Sequence, residues 1–372
     1  MTLRAETSNV QIKLEKLPPL RELSREWLAL EAQARPSIFN SWSWIGTWLA
    51  TLPGEYAPRL LRFQTSGSTV GLAVLCRSDM WRRGVIHSTC FNLNVSGNRE
   101  HDCLTVEHNG FVAARSHAGP LNHALVRWFA TELVDVDELY LPGITWAIEE
   151  DALNSCNLLS EITSVPYYVV ELDRLRGSRT DPMEHVSSNS RQQLRRSIRY
   201  WEKKGALCIR EAQTAEEALH FFASMKRLHV ASWQRRGKSH SFANPYFERF
   251  HLALIESAFS AGAIELLQIT AGDIALGYLY NLRCRNRTYA YQSGFVEDVR
   301  GRPGYVSHYL AIQHALNCGS QVYDFLAGRN RLKESLSTTQ GQMFWTRFQK
   351  SRLRFRALHA ARWLKNHLSQ LG

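Results

Sequence analysis

The chain has 372 residues, of which 44% are apolar and 21% charged, and a formal net charge of +11. Those proportions are ordinary for a globular protein, and the length is enough for two domains with substantial cores. No apolar run reaches the roughly 18 residues that a membrane-spanning helix needs, which excludes that class of anchor.

Met1 to Lys16 mixes charged and polar residues without the apolar core of a signal peptide, so a cytoplasmic location is the default expectation. Leu23, Trp27, Leu28 and Leu30 stand at near-helical spacing and predict a first amphipathic helix over Leu20 to Ala34. Asn40 to Trp48 predicts a second helix, capped by Asn40 or Ser41. Its Trp44 and Trp48 share one face, as an aromatic core or as a wall beside a substrate groove. Arg59 to Gln64, Thr69 to Cys76 and Val85 to Cys90 read as three strands, His123 to Leu133 as a helix, and Asp137 to Leu141 as a strand ending at Pro142-Gly143. Between Phe91 and Gly110 lies a polar insertion containing Asn92, Asn94, His101 and Asp102. His101-Asp102 is either part of an acceptor pocket or a solvated loop.

Val165 to Val170 reads as a strand across the joint between halves. Ser188 opens a helix whose apolar stripe is Leu194, Ile198 and Trp201, with Arg191, Arg195, Arg196, Arg199, Lys203 and Lys204 on its other faces. That charge is a solvated face, or a contact for a cofactor phosphate or an anionic acceptor. Glu216 to Ser232 and Pro245 to Ala261 are predicted helices joined by a polar, glycine-bearing loop. Leu266 to Ala271, Ile274 to Arg283 and Thr288 to Gly294 form a predicted meander, with Gly272-Asp273 as its first hairpin turn. Tyr305, Tyr309, Ile312 and Leu316 recur at helical spacing, Gly319 stops that helix, and Gln321 to Leu326 returns as a strand. The order of strands, long connection, helix and short strand occurs in both halves, the pattern of one fold repeated in tandem.

The loop Arg300-Gly-Arg-Pro-Gly-Tyr305 before the second crossover helix has the makings of an anion site. Gly301 and Gly304 permit close approach, Pro303 suits a first helical turn, and a helix N-terminus favours phosphate. The first half lacks this sequence, so only the second is expected to hold a diphosphate. From Met343 to Leu368 a basic amphipathic helix is predicted, with Trp345, Phe348, Phe355 and Trp363 among cations. It packs on the body, lies on an anionic membrane, or binds a protein.

The run from Trp233 to Lys333 resembles the C-terminal half of GNAT-like acyltransferases found with bacterial cellulose and exopolysaccharide genes, a branch close to the FemAB-type enzymes. The matching pieces are Gly277, Tyr289-x-Tyr291, Pro303-Gly304, Gly319, Asp324-Phe325, Gly328 and Lys333. Trp42, Trp44, Trp48 and the Arg191-x-x-Leu194-Arg195-Arg196 helix also resemble the family, so the likeness spans most of residues 36 to 340. It departs at Leu332, where the family usually has tyrosine. The resemblance implies an α+β chain of two tandem GNAT-like domains, 1–165 on the acceptor side and 166–342 binding acyl-CoA, with 343–372 as the basic helix. It also implies an N-acyltransferase, with acetyl-CoA as the expected donor and a small-molecule or glycan amine as acceptor.

Such transfer requires positioning, oxyanion stabilisation and removal of the amine proton. No nucleophile motif is present, so direct transfer is expected. Asp324 is the candidate base, or a structural carboxylate paired with Arg329 or Lys333. Tyr291 is a candidate proton donor to the thiolate, or a tyrosine packed on the sheet. His308, just inside the helix start, is the second candidate base. Arg300, Gly301, Arg302, Gly304 and Tyr305 are the expected cofactor-binding residues, and Arg329, Lys333, Trp233 and Gln292 the expected substrate-binding ones. The seven cysteines are scattered without a CxxC pair and the fourteen histidines without HExxH, so the cysteines read as reduced, mostly buried small residues and no metal is expected. Two other readings stand beside this one. FemAB-type enzymes take aminoacyl groups from tRNA, which the basic helix and tail would suit. A degenerate scaffold in polysaccharide assembly, peripheral to the inner membrane, is the third.

Overall fold

A computed structural model describes residues 10–114, 117–147, 150–178 and 181–368. Contacts divide the chain into two compact units, residues 1–164 with 343–372, and residues 165–342.

The first unit begins with strand β1 (Gln11–Lys16) and helices α1 (Leu20–Gln33) and α2 (Trp42–Thr51). Trp44 and Trp48 are buried, so the aromatic face of α2 is core. Strands β2 (Arg59–Thr65), β3 (Ser68–Arg82) and β4 (Ile86–Leu93) form an antiparallel meander. Its first turn is Ser66-Gly67, both at positive φ, the backbone that a two-residue hairpin demands. Short β5 (Val112–Ala113) pairs β3, and helix α3 (Ala118–Thr131) carries the chain to β6 (Glu138–Ile144), parallel to β4. Helix α4 (Glu150–Ser155) precedes β7 (Leu158–Glu171), which runs out of this unit.

In the second unit β7 leads to helices α5 (Leu172–Ser178) and α6 (Ser188–Glu202). The Ser187 side chain caps α6 by accepting from the Ser190 N–H. Strand β8 (Leu207–Glu211), helices α7 (Ala215–Arg235) and α8 (Pro245–Ala258), and the meander β9 (Ile264–Ala271), β10 (Ile274–Cys284) and β11 (Arg287–Phe295) follow. Helix α9 (Pro303–Asn317) ends at Gly319, whose φ of 83° suits a helix stop, and returns the chain as β12 (Val322–Ala327), parallel to β11. A short α10 (Arg331–Leu336) leads to β13 (Thr339–Lys350), and α11 (Leu353–Leu368) closes the chain.

The strand order within the first unit is β1-β2-β3-β4-β6-β13, and within the second β8-β9-β10-β11-β12-β7. Each reads as four antiparallel strands, a parallel crossover through a helix, and one antiparallel strand. This is the tandem GNAT-like α+β fold, and each unit has its own apolar core. A parallel neighbour needs such a crossover, which is why one helix separates β4 from β6 and β11 from β12.

The expected tail helix is corrected by this arrangement. Met343 to Lys350 is strand, paired with β6 through Phe344↔Ile144 and Thr346↔Leu141. Phe344, Trp345, Thr346 and Phe348 are strand formers, and Met343 and Phe348 are buried. Several of the cations serve the fold: Arg347 pairs with Glu138, and Arg352 and Arg354 with Asp137. The side chains of Arg362, Trp363 and Lys365, like residues 1–9, lie outside the described residues. Among the described residues no helix is long and apolar enough to cross a membrane.

Candidate active site

The site is built where two parallel strands part. Strands β11 and β12 pair over Arg287↔Val322, Thr288↔Tyr323 and Tyr289↔Asp324, and then diverge. On β12 the register breaks between Asp324 and Ala327, and Leu326 adopts φ of 63°. Asp324 holds that bulge: Oδ1 accepts the Leu326 N–H at 2.8 Å and Oδ2 accepts Arg287 Nη1 at 3.0 Å. An Asp side chain capping the N–H two residues on is a local turn device, and here it bends β12 away. On β11 a second bulge sits at Tyr291, between the pairs Tyr280↔Gln292 and Asn281↔Ala290. The fork opens into a cleft of about 760 Å³ lined by Ala290 to Phe295, by Phe325, and by residues of α6, α7, α9 and α10.

The equivalent fork in the first unit is stitched together. Asn109 donates its N–H to Gly143 O and its side-chain amide to Leu93 O, both at 2.9 Å, and accepts Asn94 Nδ2 at 2.8 Å. The polar insertion thus closes the gap between β4 and β6. Its Asp102 closes the same loop by accepting from Ser96 and Gly97, and His101 ties the loop to the turn before β2, its Nδ1 meeting Tyr56 Oη.

At the α9 start the amides expected to grip a diphosphate are largely engaged. Asp298 accepts the Gly301 N–H at 2.6 Å on its carboxylate and the Arg302 N–H at 2.9 Å on its carbonyl. Arg302 O takes the N–H groups of Tyr305 and Val306. The Asp298 carboxylate also accepts Tyr200 Oη at 2.8 Å and faces Lys204 at 3.5 Å. Those donors hold its pKa below the usual carboxylate range, against the opposing effect of desolvation. Pro303 has no N–H, which leaves that of Gly304. The corner therefore fits one phosphate oxygen on a backbone amide, with Arg302 beside it, rather than a cradle of amides.

Two histidines reach the cleft. His229, on α7, is 5% exposed and its Nδ1 lies 2.9 Å from Ser293 O. A carbonyl only accepts, so Nδ1 carries the proton and the neutral ring leaves Nε2 as a bare acceptor. Among the described residues that buried Nε2 has no partner. Burial lowers the His229 pKa, and His240 and Arg236 push the same way against the Ser293 bond. His308, on α9, meets Tyr323 Oη through Nδ1 at 3.1 Å. Burial, aided by the Lys333 ammonium, lowers its pKa to about 3, so it is neutral in ordinary buffers.

Of the residues singled out in sequence, Tyr291, His308, Arg302, Gly304, Tyr305, Lys333, Trp233 and Gln292 line the cleft. Tyr291 Oη is 3.2 Å from His251 Nε2, while the other nitrogen of that ring meets Tyr280 Oη. Lys333 Nζ lies 2.6 Å from Ala327 O, and Gln292 caps the Ser293 N–H. Four others are corrected, since none of them lines the cleft. Asp324 is fully buried and satisfied by Arg287 and Leu326. Gly301 packs under Trp201 and accepts its indole N–H at 2.8 Å, an approach that a Cβ would block at 2.6 Å. Arg300 is exposed, and the exposed Arg329 pairs with Glu334 at 2.8 Å.

Sequence reasoning missed His229, His251 and Asp298. His229 follows Phe222 and Met225 at helical spacing, where a histidine reads as core. The useful signal was Gly294: a Cβ there would overlap the Met225 carbonyl oxygen and come within 3.0 Å of the His229 backbone nitrogen. The glycine lets α7 lie directly on β11. Away from the cleft the fold also gathers dispersed residues, since Glu211, His314 and Cys318 bring three ligand-type atoms within 4.8 Å of one another. Arg283 pairs with Glu211 and Glu265 there, and His314 Nε2 with Glu211 at 3.0 Å. Two of the seven cysteines are fully buried, fewer than expected.

Residues 188–334 match the family model described as an acetyltransferase (GNAT) domain, a span that contains all of the cleft lining except Ser335. Among solved structures the chain is similar to FemX, at 13% identity and a TM-score of 0.57 over 90% of this chain and 96% of that one. It is also similar to the C-terminal domain of a putative lysylphosphatidylglycerol synthetase from Agrobacterium fabrum, at 9% identity and 0.52 over 92% and 95%. A protein of unknown function from Bacteroides thetaiotaomicron matches at 9% and 0.50 over 91% and 100%. At these identities the structures speak to fold alone, and no curated protein matches in sequence. The family match over the forked half, on a tandem GNAT-like frame, makes residues 188–334 an acyltransferase domain of the GNAT type.

Proposed function

We propose that the protein is an N-acyltransferase that moves an acyl group, acetyl in the first instance, from acyl-CoA directly to an amine of a sugar, amino acid or polysaccharide precursor. The observation that carries this reading is the open fork. Among the described residues its β12-side edge of β11 has no strand partner beyond Tyr289, which leaves room there for an extended, amide-bearing arm such as that of CoA. The Gly304 amide and Arg302 stand at one end for a phosphate oxygen, and neutral histidines stand along the walls. The stitched fork of the first unit supports an acceptor-side role for that half. The exopolysaccharide-type sequence resemblance supports a sugar-derived amine. The test is thiol release from acetyl-CoA against a panel of amino sugars and amino acids, with calorimetry of CoA binding. Turnover with one class of amine is expected, and absence of CoA-ester binding at millimolar concentration would refute the donor.

The engagement of the α9 amides by Asp298 favours a second donor, an aminoacyl-tRNA. The exposed cations of α6, beside the cleft residues Ser190 and Gln193, support it. Salt-sensitive tRNA binding without CoA binding would select that reading.

A further inference from the structure

We propose that His229 is the general base, its Nε2 taking the proton of the attacking amine directly or through one water. The inference rests on the acyl-transfer reading and adds the group that moves the proton. Elimination points to this ring. The two carboxylates lining the cleft are engaged, Glu297 with Arg235 at 2.6 Å and Asp298 with Gly301, Tyr200 and Lys204. His308 faces a tyrosine hydroxyl that both donates and accepts, which leaves its proton unassigned, and a second cation would arise beside Lys333. His229 lines the cleft, has its tautomer set by a carbonyl, and keeps a buried Nε2 that no group among the described residues engages. Its ring packs between Trp233 (ring centroids 5.7 Å) and Phe242 (5.5 Å), which fixes the imidazole plane, and a small side-chain shift or one water links Nε2 to the amine.

The step balances without a further reagent. The amine nitrogen forms a bond to the thioester carbonyl carbon, whose π pair moves to oxygen, and the nitrogen's proton passes to His229 Nε2. As the carbonyl re-forms, the C–S bond breaks, sulfur leaves with that electron pair, and the proton returns from His229 to the thiolate. The groups bearing on this titration are His240 and Arg236, which disfavour the imidazolium, and the Ser293 carbonyl, which favours it.

His229→Asn retains a donor for the Ser293 carbonyl and removes Nε2. With acetyl-CoA as donor and D-glucosamine or hydroxylamine as acceptor, kcat should fall by about 10²–10⁴-fold. Acetyl-CoA binding by calorimetry should stay within about threefold, and the residual rate should rise with pH as free amine replaces the base. His229→Gln, which lacks an imidazole altogether, should show the same profile if its thermal melt matches the parent. A folded variant with parental kcat and an unchanged pH profile overturns the base while leaving acyl transfer intact. A folded variant that loses acetyl-CoA binding makes His229 a structural residue and also overturns it. If the parent protein neither binds nor turns over acetyl-CoA, the donor assignment fails and the base falls with it.

Discussion

Replacing Asp324 separates a structural carboxylate from a catalytic one. In Asp324→Ala the Leu326 N–H, on a residue 6% exposed, loses its acceptor, which costs about 1–3 kcal/mol for a buried donor. Leu326 also holds a left-handed backbone worth roughly 1–2 kcal/mol of strain, which that bond helps offset. Arg287 loses its partner too, but its side chain is 33% exposed and water replaces part of the bond. The total is about 2–4 kcal/mol. For a unit of this size each kcal/mol moves the melting temperature by roughly 2–4 °C, so a drop on the order of 5–15 °C is expected. Asp324→Asn keeps an oxygen for Leu326 and should lose about half as much. The assay is a thermal melt by circular dichroism beside kcat for acetyl transfer, both at temperatures where each variant remains folded. An Asp324→Ala protein that melts within 2 °C of the parent while kcat collapses would refute the argument and restore the carboxylate to the chemistry.

Two further outcomes follow from the packing. Gly294→Ala pushes a Cβ into the Met225 carbonyl and against the His229 backbone nitrogen, so α7 must lift from β11; a loss of about 1–3 kcal/mol and at least a tenfold fall in kcat are expected, read by melting and by thiol release. Truncation after Gln342 removes Met343 to Lys350 of β13 and all of α11, and with them the buried Met343, Phe348, Phe355 and Leu358. At about 1.5–3 kcal/mol each, that loss is comparable with the whole stability of a domain, so the truncated protein should lose its near-ultraviolet dichroism or precipitate. A soluble product with parental spectra would return the tail to an independent appendage.

What the sequence determined by itself was local and periodic. Alternation and helical spacing marked both meanders, the crossover helices and the returning strands, because those patterns follow from which face of an element meets the core. The turn at Gly272-Asp273 and the stop at Gly319 were legible for the same reason: backbone conformation there restricts the residue type. The tail was misread because Phe344 to Phe348 suits either period, and only an open edge on β6 selects strand. The site was only half legible. Tyr291, His308 and Gly304 sit on the elements that build it, but Asp324 turns inward to hold a bulge rather than toward a ligand. Tertiary structure alone decided that one fork is stitched by Asn109 while the other stays open. It also decided that Asp298 occupies the amides of the α9 start and that His229 comes to lie on Ser293. Each of these depends on where two distant backbones part or touch, and a side chain's neighbours across such a gap leave no periodic trace along the chain.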